Sequence, residues 1–381
     1  MRAVIRAWMD EYRGILSDAG VMLIFFGAIA AYSIMYPIPY FSEVLRDVPV
    51  AVVDLDRSSL SRKLVRMIDA NEYVRAADKT GNFESAKALM LAREVSGVVV
   101  IPADFSKKIL RSEQSEVPVY LDGSYFLTYR QTLTGLMQAV GTLSAGIEIR
   151  RMEARGTHPV RAAAERDPLP MRSYALFNPS GGYASYIVPA VFLLLLQQSL
   201  LIGIGMRAGT AREQKPSRIR GPAPAEVLGK AAAYFSIYLI HAIYLFMILF
   251  RVYRFPQRAD LGALAMVIIP FLAASIFLGL ALSAVFKTRE TSMLVLLCTS
   301  LPVLFLAGFA WPRESIPQWL QTLSLAVPST GAIKAFLEIS QMGADISQVA
   351  GETAILWILA AVYFAAACVL GSASRRRKDL L

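Results

Sequence analysis

Acidic side chains at the ends of predicted strands are the first candidates for chemistry in this chain. Asp54, Asp56 and Asp122 lie where apolar runs stop, a position at which carboxylates either bind ligands or cap turns. The hydrophilic stretch around them contains one histidine, His158, and no cysteine, and it lacks the Gly-x-Ser-x-Gly turn that presents a nucleophilic serine. We therefore expect caps and turns here, and no catalytic site.

Among the polar side chains inside long apolar segments, His241, Gln197 and Gln198 are candidates for function, because an unpaired ionisable group is costly there. His241 is the ionisable residue near the middle of such a segment, and Tyr238 and Tyr244 lie on adjacent turns. Two roles stay open for it: a group on a transport pathway, or a neutral packing residue between helices. We expect Gln197 and Gln198 to hydrogen-bond between neighbouring helices. The alternative is that they line the transport pathway. These segments contain no series of acidic residues that would indicate proton coupling.

A basic connection at 207–230 contains two acids among many Lys and Arg residues. Gly229 and Lys230 resemble the end of a phosphate-binding loop, but alanine follows and the glycine spacing of a P-loop is missing. We therefore expect no cofactor and no metal on this chain.

The composition predicts that these residues are carried by a membrane protein. Hydrophobic residues make up 55% of the chain and charged residues 18%, and a bilayer is crossed by about 20 apolar residues. The two cysteines, Cys298 and Cys368, fall inside predicted spans, so the chain offers neither a disulfide framework nor a zinc cluster. Six spans are predicted, at 19–40, 183–206, 231–250, 261–286, 291–310 and 353–372.

The positions of Lys and Arg predict the orientation of the spans. Basic residues cluster in the amino-terminal arm, in 207–230, at Lys287 and Arg289, and in 375–378. If the spans alternate, these clusters share one side, which the positive-inside rule makes cytoplasmic. Arg251, Arg254 and Arg258 would lie on the opposite side and favour the reverse orientation, but they are fewer than the residues of the other clusters. Both termini are then cytoplasmic, and the net charge of +10 requires no nucleic acid partner.

The amino-terminal region 1–41 is predicted to hold an interfacial helix and the first span. Apolar residues within 4–16 recur on one helical face, which is typical of a helix lying on the membrane surface. A plain cytoplasmic extension of the span is the alternative. We expect the first span to remain as an anchor, because its apolar run is longer than that of a cleaved signal.

The region 42–182 alternates strand and helix patterns and is long enough to form a domain. Strands are predicted at 50–54, 73–77, 98–101 and 117–121, with helices between and after them. This is a small α/β domain with a partly parallel sheet. The fold class is therefore a membrane α-helical protein with six transmembrane helices and an extracytoplasmic α/β domain inserted after the first helix.

Glycine and prolines interrupt the apolar sequence between the last two spans. Non-helical backbone is tolerated at membrane depth only where protein or a water-filled path covers it. We expect the segment 311–336 to re-enter the membrane from outside as a helix pair, within the region 183–381. A plain external loop is the alternative. The residues that break the helices are Gly308, Pro312, Pro317 and Pro328.

Several stretches resemble a known family. They include VPVAVVDLDRSSLSRKLVRMID (48–69), GVVVIPADFSKKIL (97–110), LFNPSGGYASYIVPAVF (176–192), EVLGKAAAYF (226–235) and the Gly-Phe-x-x-Pro-x-x-x-x-Pro pattern from 308 to 317. In this order they are similar to permease subunits of ABC-2-type transporters, in the subgroup with a large extracytoplasmic domain after the first span. Here Gly209-Thr210 precedes Glu213, whereas the family places a Glu before the Gly-Thr pair.

The resemblance implies a function and a set of partners. It implies a permease of the cell inner membrane that exports a hydrophobic or amphiphilic substrate, such as a drug or a lipid. The chain lacks a P-loop, so ATP and Mg would be bound by separate ABC ATPase subunits. The candidates for contact with them are Arg212, Glu213, Glu226, Gly229 and Lys230. The permease would pair with a second copy or a paralogue, and a periplasmic adaptor protein is a further candidate partner.

Two hypotheses of a different functional class remain beside the exporter. One is a membrane scaffold that shares the architecture without transport. The other is a receptor whose external α/β domain binds a ligand, although little polar sequence follows the last span to carry an output domain. A neighbouring ATPase gene would favour the exporter.

Overall fold

The computed structural model describes residues 1–179, 181–213, 223–286 and 288–379, without the side chains of 373–379. The chain forms two compact units, one of Met1–Glu43 with Ala175–Leu381 and one of Val44–Tyr174. Lys287, the connection 214–222 and the basic side chains of 375–378, which contribute to the predicted orientation, lie outside the described residues.

The chain is mostly helical, with one small sheet. The strands are β1 (Val48–Asp54), β2 (Val74–Thr80), β3 (Gly97–Ile101) and β4 (Val119–Leu121). The helices are α1 (Arg2–Ser17), α2 (Ala19–Met22), α3 (Ile29–Met35), α4 (Ser59–Asp69), α5 (Phe83–Leu91), α6 (Phe105–Leu110), α7 (Phe126–Ala154), α8 (Pro159–Arg166), α9 (Tyr183–Glu213), α10 (Ala223–Ile243), α11 (Phe250–Tyr253), α12 (Leu261–Ser283), α13 (Arg289–Leu306), α14 (Gln318–Ser324), α15 (Pro328–Leu337) and α16 (Ala350–Asp379).

Six helical stretches of the described chain are long and apolar enough to cross a membrane. Two of them are continuous runs of several elements, because π-helical turns at Leu23–Ala28 and Tyr244–Leu249 join α2 to α3 and α10 to α11. The prediction of six candidate spans is thereby confirmed. The stretches are Ala19–Tyr40, Tyr183–Glu213, Ala223–Tyr253, Leu261–Ser283, Arg289–Leu306 and Ala350–Ser372.

Two helices extend beyond their predicted ends into the basic connection. Helix α9 continues through residues 207–213, and α10 begins at Ala223, so only 214–222 separate them. The sequence from Arg207 to Glu213 contains no proline, and the first proline of the connection is residue 216. Charged residues at the ends of a span therefore prolong its helix instead of starting a loop.

Helix α9 lies at the centre of the helical unit and is almost wholly buried along its apolar length. It packs against α12, α13 and α15, and against the turns of the first span. The first span packs tightly against α9 at Gly203, where a Cβ atom in place of hydrogen would lie 1.9 Å from Cε1 of Phe25. The Phe25 ring is fully buried between the rings of Tyr234 and Tyr238. Glycine at 203 thus creates the space that this ring fills.

The unit Val44–Tyr174 is a small α/β domain, as its pattern predicts. Its sheet has the order β2-β1-β3-β4, in which the first three strands are parallel and β4 is antiparallel. Val50 and Val52 face a core shared with α4 and α7, whereas Ala51 and Val53 face the core on the α5 side. Alternate side chains of β1 are therefore buried on opposite faces of the sheet.

The breaks predicted between the last two spans lie at element boundaries. Gly308 adopts a left-handed φ of 81° just after α13, a conformation that glycine tolerates without strain. Pro312 precedes a short 3-10 turn, Pro317 precedes α14, and Pro328 is the first residue of α15. The segment 311–336 thus forms a pair of short helices separated by turns, and its re-entry into the membrane stays a prediction.

We predict that Gly203→Ala lowers the thermal stability of the purified protein. The new methyl group would overlap the Phe25 ring, and the buried tyrosines on either side leave that ring no room to move. Overpacking of this kind costs about 1–3 kcal/mol. Thermal unfolding in detergent would measure the loss.

Gly371→Ala is the matched control for this substitution. Gly371 lies in α16, and a Cβ there meets nothing within 4 Å. Alanine at 371 should be neutral or slightly stabilising, because it favours the helix. Equal unfolding midpoints for the two variants would contradict the packing described for Gly203.

Candidate functional site

A buried carboxylate joins three helices at one end of the helical unit. Asp18 lies between α1 and α2 and caps α2 by accepting hydrogen bonds from the backbone of Gly20 and Val21, at 3.1 and 3.2 Å. It also accepts a hydrogen bond of 2.9 Å from the hydroxyl of Thr210 on α9 and forms an ion pair of 3.0 Å with Arg289 on α13. We call Asp18, Thr210 and Arg289 the Asp18 cluster.

The environment of Asp18 favours its charged form. Burial raises the pKa of the carboxyl, but the hydrogen bonds from Thr210, Val21 and Gly20 and the charge of Arg289 outweigh it and lower the pKa below its ordinary value. A carboxylate with this many donors is held ionised by its hydrogen bonds. At neutral pH the Asp18 cluster therefore holds an ion pair between Asp18 and Arg289.

Two glycines allow Arg289 to reach the Asp18 cluster. At Gly209 on α9, a Cβ atom would lie 2.5 Å from the backbone nitrogen of Arg289. At Gly20, a Cβ would lie 1.8 Å from its Nη2 atom. The start of α13 is thus in backbone contact with α9, and a side chain at residue 209 would displace it, whereas one at residue 20 would displace the Arg289 guanidinium.

Helix α1 packs lengthwise on α10 through a second set of polar contacts. Glu11 is 8% exposed and accepts a hydrogen bond from the hydroxyl of the buried Tyr234. The hydroxyls of Tyr12 and Ser236 lie 2.6 Å apart. At Gly229, a Cβ atom would lie 2.5 Å from the backbone carbonyl oxygen of residue 4. These contacts hold α1 against the helical unit along several turns.

The residues predicted to contact an ATPase fall into three separate places. Arg212 donates a hydrogen bond to the backbone carbonyl of Ser283, at the end of α12. Glu213 is exposed as the last residue of α9. Lys230 forms an ion pair of 3.0 Å with Glu226 one turn earlier in α10, while Gly229 contacts α1. Of the five, Glu213 is thus the acid most open to a partner.

The sequence reasoning missed Asp18, Glu11 and Arg289 as members of a site. Asp18 precedes an Ala-Gly pair at the start of an apolar run, which is a recognisable helix-capping signal. Its partners lie 192 and 271 residues away in the chain, at Thr210 and Arg289. Only the tertiary packing brings them together.

Gln197 joins helices within the unit, whereas Gln198 finds no hydrogen-bond partner among the described residues. The Gln197 side-chain oxygen accepts a hydrogen bond of 2.8 Å from the backbone nitrogen of Ser329, in the first turn of α15. Both polar atoms of Gln198 are buried and unpaired, as are the hydroxyls of Ser275 and Thr330. These residues lie on α9, α12 and α15, three helices that pack against one another.

His241 packs among aromatic rings. Its ring centroid lies 5.2 Å from that of Phe26 and 5.4 Å from that of Tyr238, both in edge geometry. The predicted tyrosine partners bond elsewhere: the Tyr238 hydroxyl donates to Ser199 at 3.0 Å, and Tyr244 bonds Ser33. The buried Nε2 atom of His241 has no hydrogen-bond partner among the described residues.

Asp54 and Asp122 cap the turns that follow them, as expected, whereas Asp56 contacts the start of a distant helix, α6. Asp54 accepts hydrogen bonds from the backbone of the next turn and from the Ser61 hydroxyl. Asp56 bonds Ser106, and Asp122 accepts from the backbone of the residue two positions on. Within the described residues, no group of three or more His, Cys, Asp or Glu side chains could hold a metal ion.

Known proteins similar to this chain are membrane permeases. Residues 19–369 match the family described as ABC-2 family transporter protein. Over 262 residues the chain is 21% identical to the "Probable multidrug ABC transporter permease YbhR" of Escherichia coli, a match that covers 68% of this chain and 65% of YbhR. This chain therefore spans slightly less than two thirds of that relative.

Two further relatives match over more of their length. The "Inner membrane transport permease YhhJ" of Escherichia coli is 20% identical over 96% of this chain and 95% of its own length. The "Linearmycin resistance permease protein LnrN" of Bacillus subtilis is 22% identical over 84% of this chain and 86% of its own. No solved structure gives a significant match. The family match covers most of the chain, and the chain therefore belongs to the ABC-2 family of transporter proteins, as a multi-pass membrane permease.

Proposed function

We propose that this chain is the membrane subunit of an exporter that moves a hydrophobic or amphiphilic substrate out of the cytoplasm or the inner membrane. ABC ATPase subunits would bind ATP and Mg and supply the energy. Two matched permeases whose names refer to drugs or to linearmycin support this substrate class. The observation that carries the proposal is the polar packing at one end of the helical unit, where the Asp18 cluster and the α1–α10 contacts join the ends of several spans.

The same proposal includes an orientation. The ends of α1, α9, α10 and α13 face the cytoplasm, both termini are cytoplasmic, and the region 42–182 is extracytoplasmic. The basic residues of these ends support it. So does α1, a 16-residue helix with Trp8 partly exposed beside buried contacts to α10, as expected of a helix at a membrane surface.

Coupling to the ATPase would begin at the connection between α9 and α10. A rigid element with two discrete arrangements is needed to carry nucleotide-dependent motion into the spans. Glu213, exposed at the end of α9, would pair with a basic residue of the ATPase. Glu226 and Lys230 would keep the start of α10 in shape, and the Asp18 cluster would pass the motion to the first span and to α13.

The substrate path would run beside the unpaired polar groups of α9, α12 and α15. Gln198 and His241 would face this path or pack against neighbouring helices. The helix pair at 311–336 would close the path from the outer side. Helices α13 and α16 expose most of their apolar surface in the single chain. A second permease copy or paralogue, with lipid around the pair, would cover that surface.

We predict that Glu213→Ala uncouples transport from ATP hydrolysis. The permease, expressed with its ATPase, should assemble and insert normally, because Glu213 is exposed and its carboxylate has no partner among the described residues. Efflux of an amphiphilic dye from loaded cells should fall severalfold while ATP hydrolysis by the purified complex continues. Loss of one charge-assisted contact across an interface accounts for an effect of this size.

Glu94→Ala is the control for this substitution, since Glu94 is also exposed but lies in the α/β unit, which is assigned to the outer side. Its efflux should match that of the unmodified permease. Normal efflux in Glu213→Ala together with impaired efflux in Glu226→Ala would contradict the role given to Glu213 and move the coupling contact to the start of α10.

We predict that Asp18→Asn lowers thermal stability at neutral pH although asparagine retains an oxygen that caps α2. The substitution leaves Arg289 partly buried without its anion, which costs about 1–3 kcal/mol. Asp104→Asn is the control, because its ion pair with Lys108 is solvent-exposed and worth little.

The effect of Asp18→Asn should depend on pH. The pKa of Asp18 is lowered in the folded protein, so its stabilisation is present above the ordinary carboxyl pKa and is lost as the pH falls through the lowered one. The difference between Asp18→Asn and the unmodified protein should therefore shrink below about pH 4. A difference that stays constant down to about pH 3, well below the ordinary carboxyl pKa, would contradict the ion pair.

A further inference from the structure

A basic cleft opens on the α/β unit at the carboxyl ends of β1 and β2. Its volume is about 420 Å³, and it is lined by backbone and side chains of β1, the following turn, α4 and the end of β2. Lys79 pairs in register with Val52, so both side chains point to the sheet face that α4 covers. We call the cationic side chains of this cleft, Arg57, Arg62, Arg66 and Lys79, the basic cleft residues.

The positive charge of the cleft is not neutralised from within. Asp54 is the one acid among the lining residues, and its oxygens accept from the backbone of Asp56 and Arg57, at 3.1 and 2.9 Å, and from Ser61 at 2.8 Å. None of the basic cleft residues forms an ion pair within the described residues of the unit. Arg62 and Arg66 are also four residues apart on α4, a spacing at which like charges destabilise a helix.

The backbone around the cleft holds one of the arginines in an uncommon conformation. Arg57 has a φ of 50°, in the left-handed region that residues with a side chain seldom adopt. Arg62 donates a hydrogen bond of 2.7 Å to the carbonyl of Arg57, and two backbone nitrogens after β1 are held by Asp54. Strained residues of this kind concentrate at sites where the chain binds something.

We propose that the basic cleft binds the phosphate group of an anionic ligand. Guanidinium groups bind phosphate in a two-pronged geometry, and a lysine ammonium adds a point charge. Four cations with one internally committed carboxylate match a phosphate or diphosphate better than a neutral ligand. The cleft also lies at the carboxyl ends of parallel strands, where open α/β sheets bind ligands. The site does not depend on the direction of transport.

The phosphate has two possible sources, a soluble phosphate compound or the headgroup of an anionic lipid. Binding would be measured calorimetrically on the full chain in an uncharged detergent. The probes are inorganic pyrophosphate, a water-soluble short-chain phosphatidic acid, and an oligoglutamate peptide that carries carboxylates instead of phosphates.

The test variant is the double substitution Arg66→Gln with Lys79→Gln, which keeps Arg57 and its carbonyl contact intact. Both residues are exposed, so folding should be unaffected, and circular dichroism would check this. The control is Lys63→Gln with Arg75→Gln, which removes the same charge from the same unit but does not touch the cleft. Loss of two charge-assisted contacts should weaken phosphate binding about tenfold or more in the test variant and leave the control within about twofold.

Saturable binding of both phosphate probes, weakened only in the test variant, supports the proposal for either source. Binding of phosphatidic acid alone supports it with a lipid headgroup as the source, and binding of pyrophosphate alone supports it with a soluble compound. Equal weakening in test and control variants overturns it, as does the absence of saturable binding. Binding of oligoglutamate without either phosphate probe also overturns it, in favour of an acidic protein partner.

Discussion

The helical unit depends on pairing its buried charges, because apolar surroundings provide no water to solvate them. Asp18 shows how this constraint is met: its carboxylate receives backbone donors from α2, a hydroxyl from α9 and a guanidinium from α13. Removing one partner would leave another charge uncompensated, which is the costly case for a buried pair. The start of the first span, the end of α9 and the start of α13 are therefore fixed relative to one another by one group.

Small residues make that arrangement possible. Gly209 lets the start of α13 pack against α9, and Gly20 leaves space for the Arg289 side chain. Gly229 lets α1 lie directly on α10, and Gly203 leaves space for the Phe25 ring. Close helix approach at small residues is a general device for packing in membranes, where apolar side chains gain little by leaving lipid. In a permease, such contacts would move helices together as rigid bodies, which is what coupling to an ATPase requires.

The sequence predicted the elements well and their long-range contacts poorly. Hydropathy located the six candidate spans because each carries its own apolar signal, and the β-branched run at Gly97–Ile101 marked a buried strand in the same way. The capping roles of Asp54 and Asp122 are local and were also predictable, whereas Asp56 bonds Ser106, which is 50 residues away in the chain. The Asp18 cluster was not, because its members lie in three distant segments. The basic cleft was missed for another reason. In the sequence, Arg62 and Arg66 resemble the solvated face of an ordinary helix, and only the folded sheet places Lys79 of β2 in the cleft that they line.

The central proposal is that this ABC-2 permease hydrolyses no ATP itself and is driven by a separate ABC ATPase. The most direct measurement is ATP hydrolysis by the affinity-purified chain, once alone and once co-expressed with an ABC ATPase from the same organism. The account predicts no hydrolysis above background for the chain alone. It predicts a stable complex with vanadate-sensitive hydrolysis when the ATPase is present. Hydrolysis by the chain alone, or failure of any ABC ATPase of that organism to co-purify with it, would contradict the account.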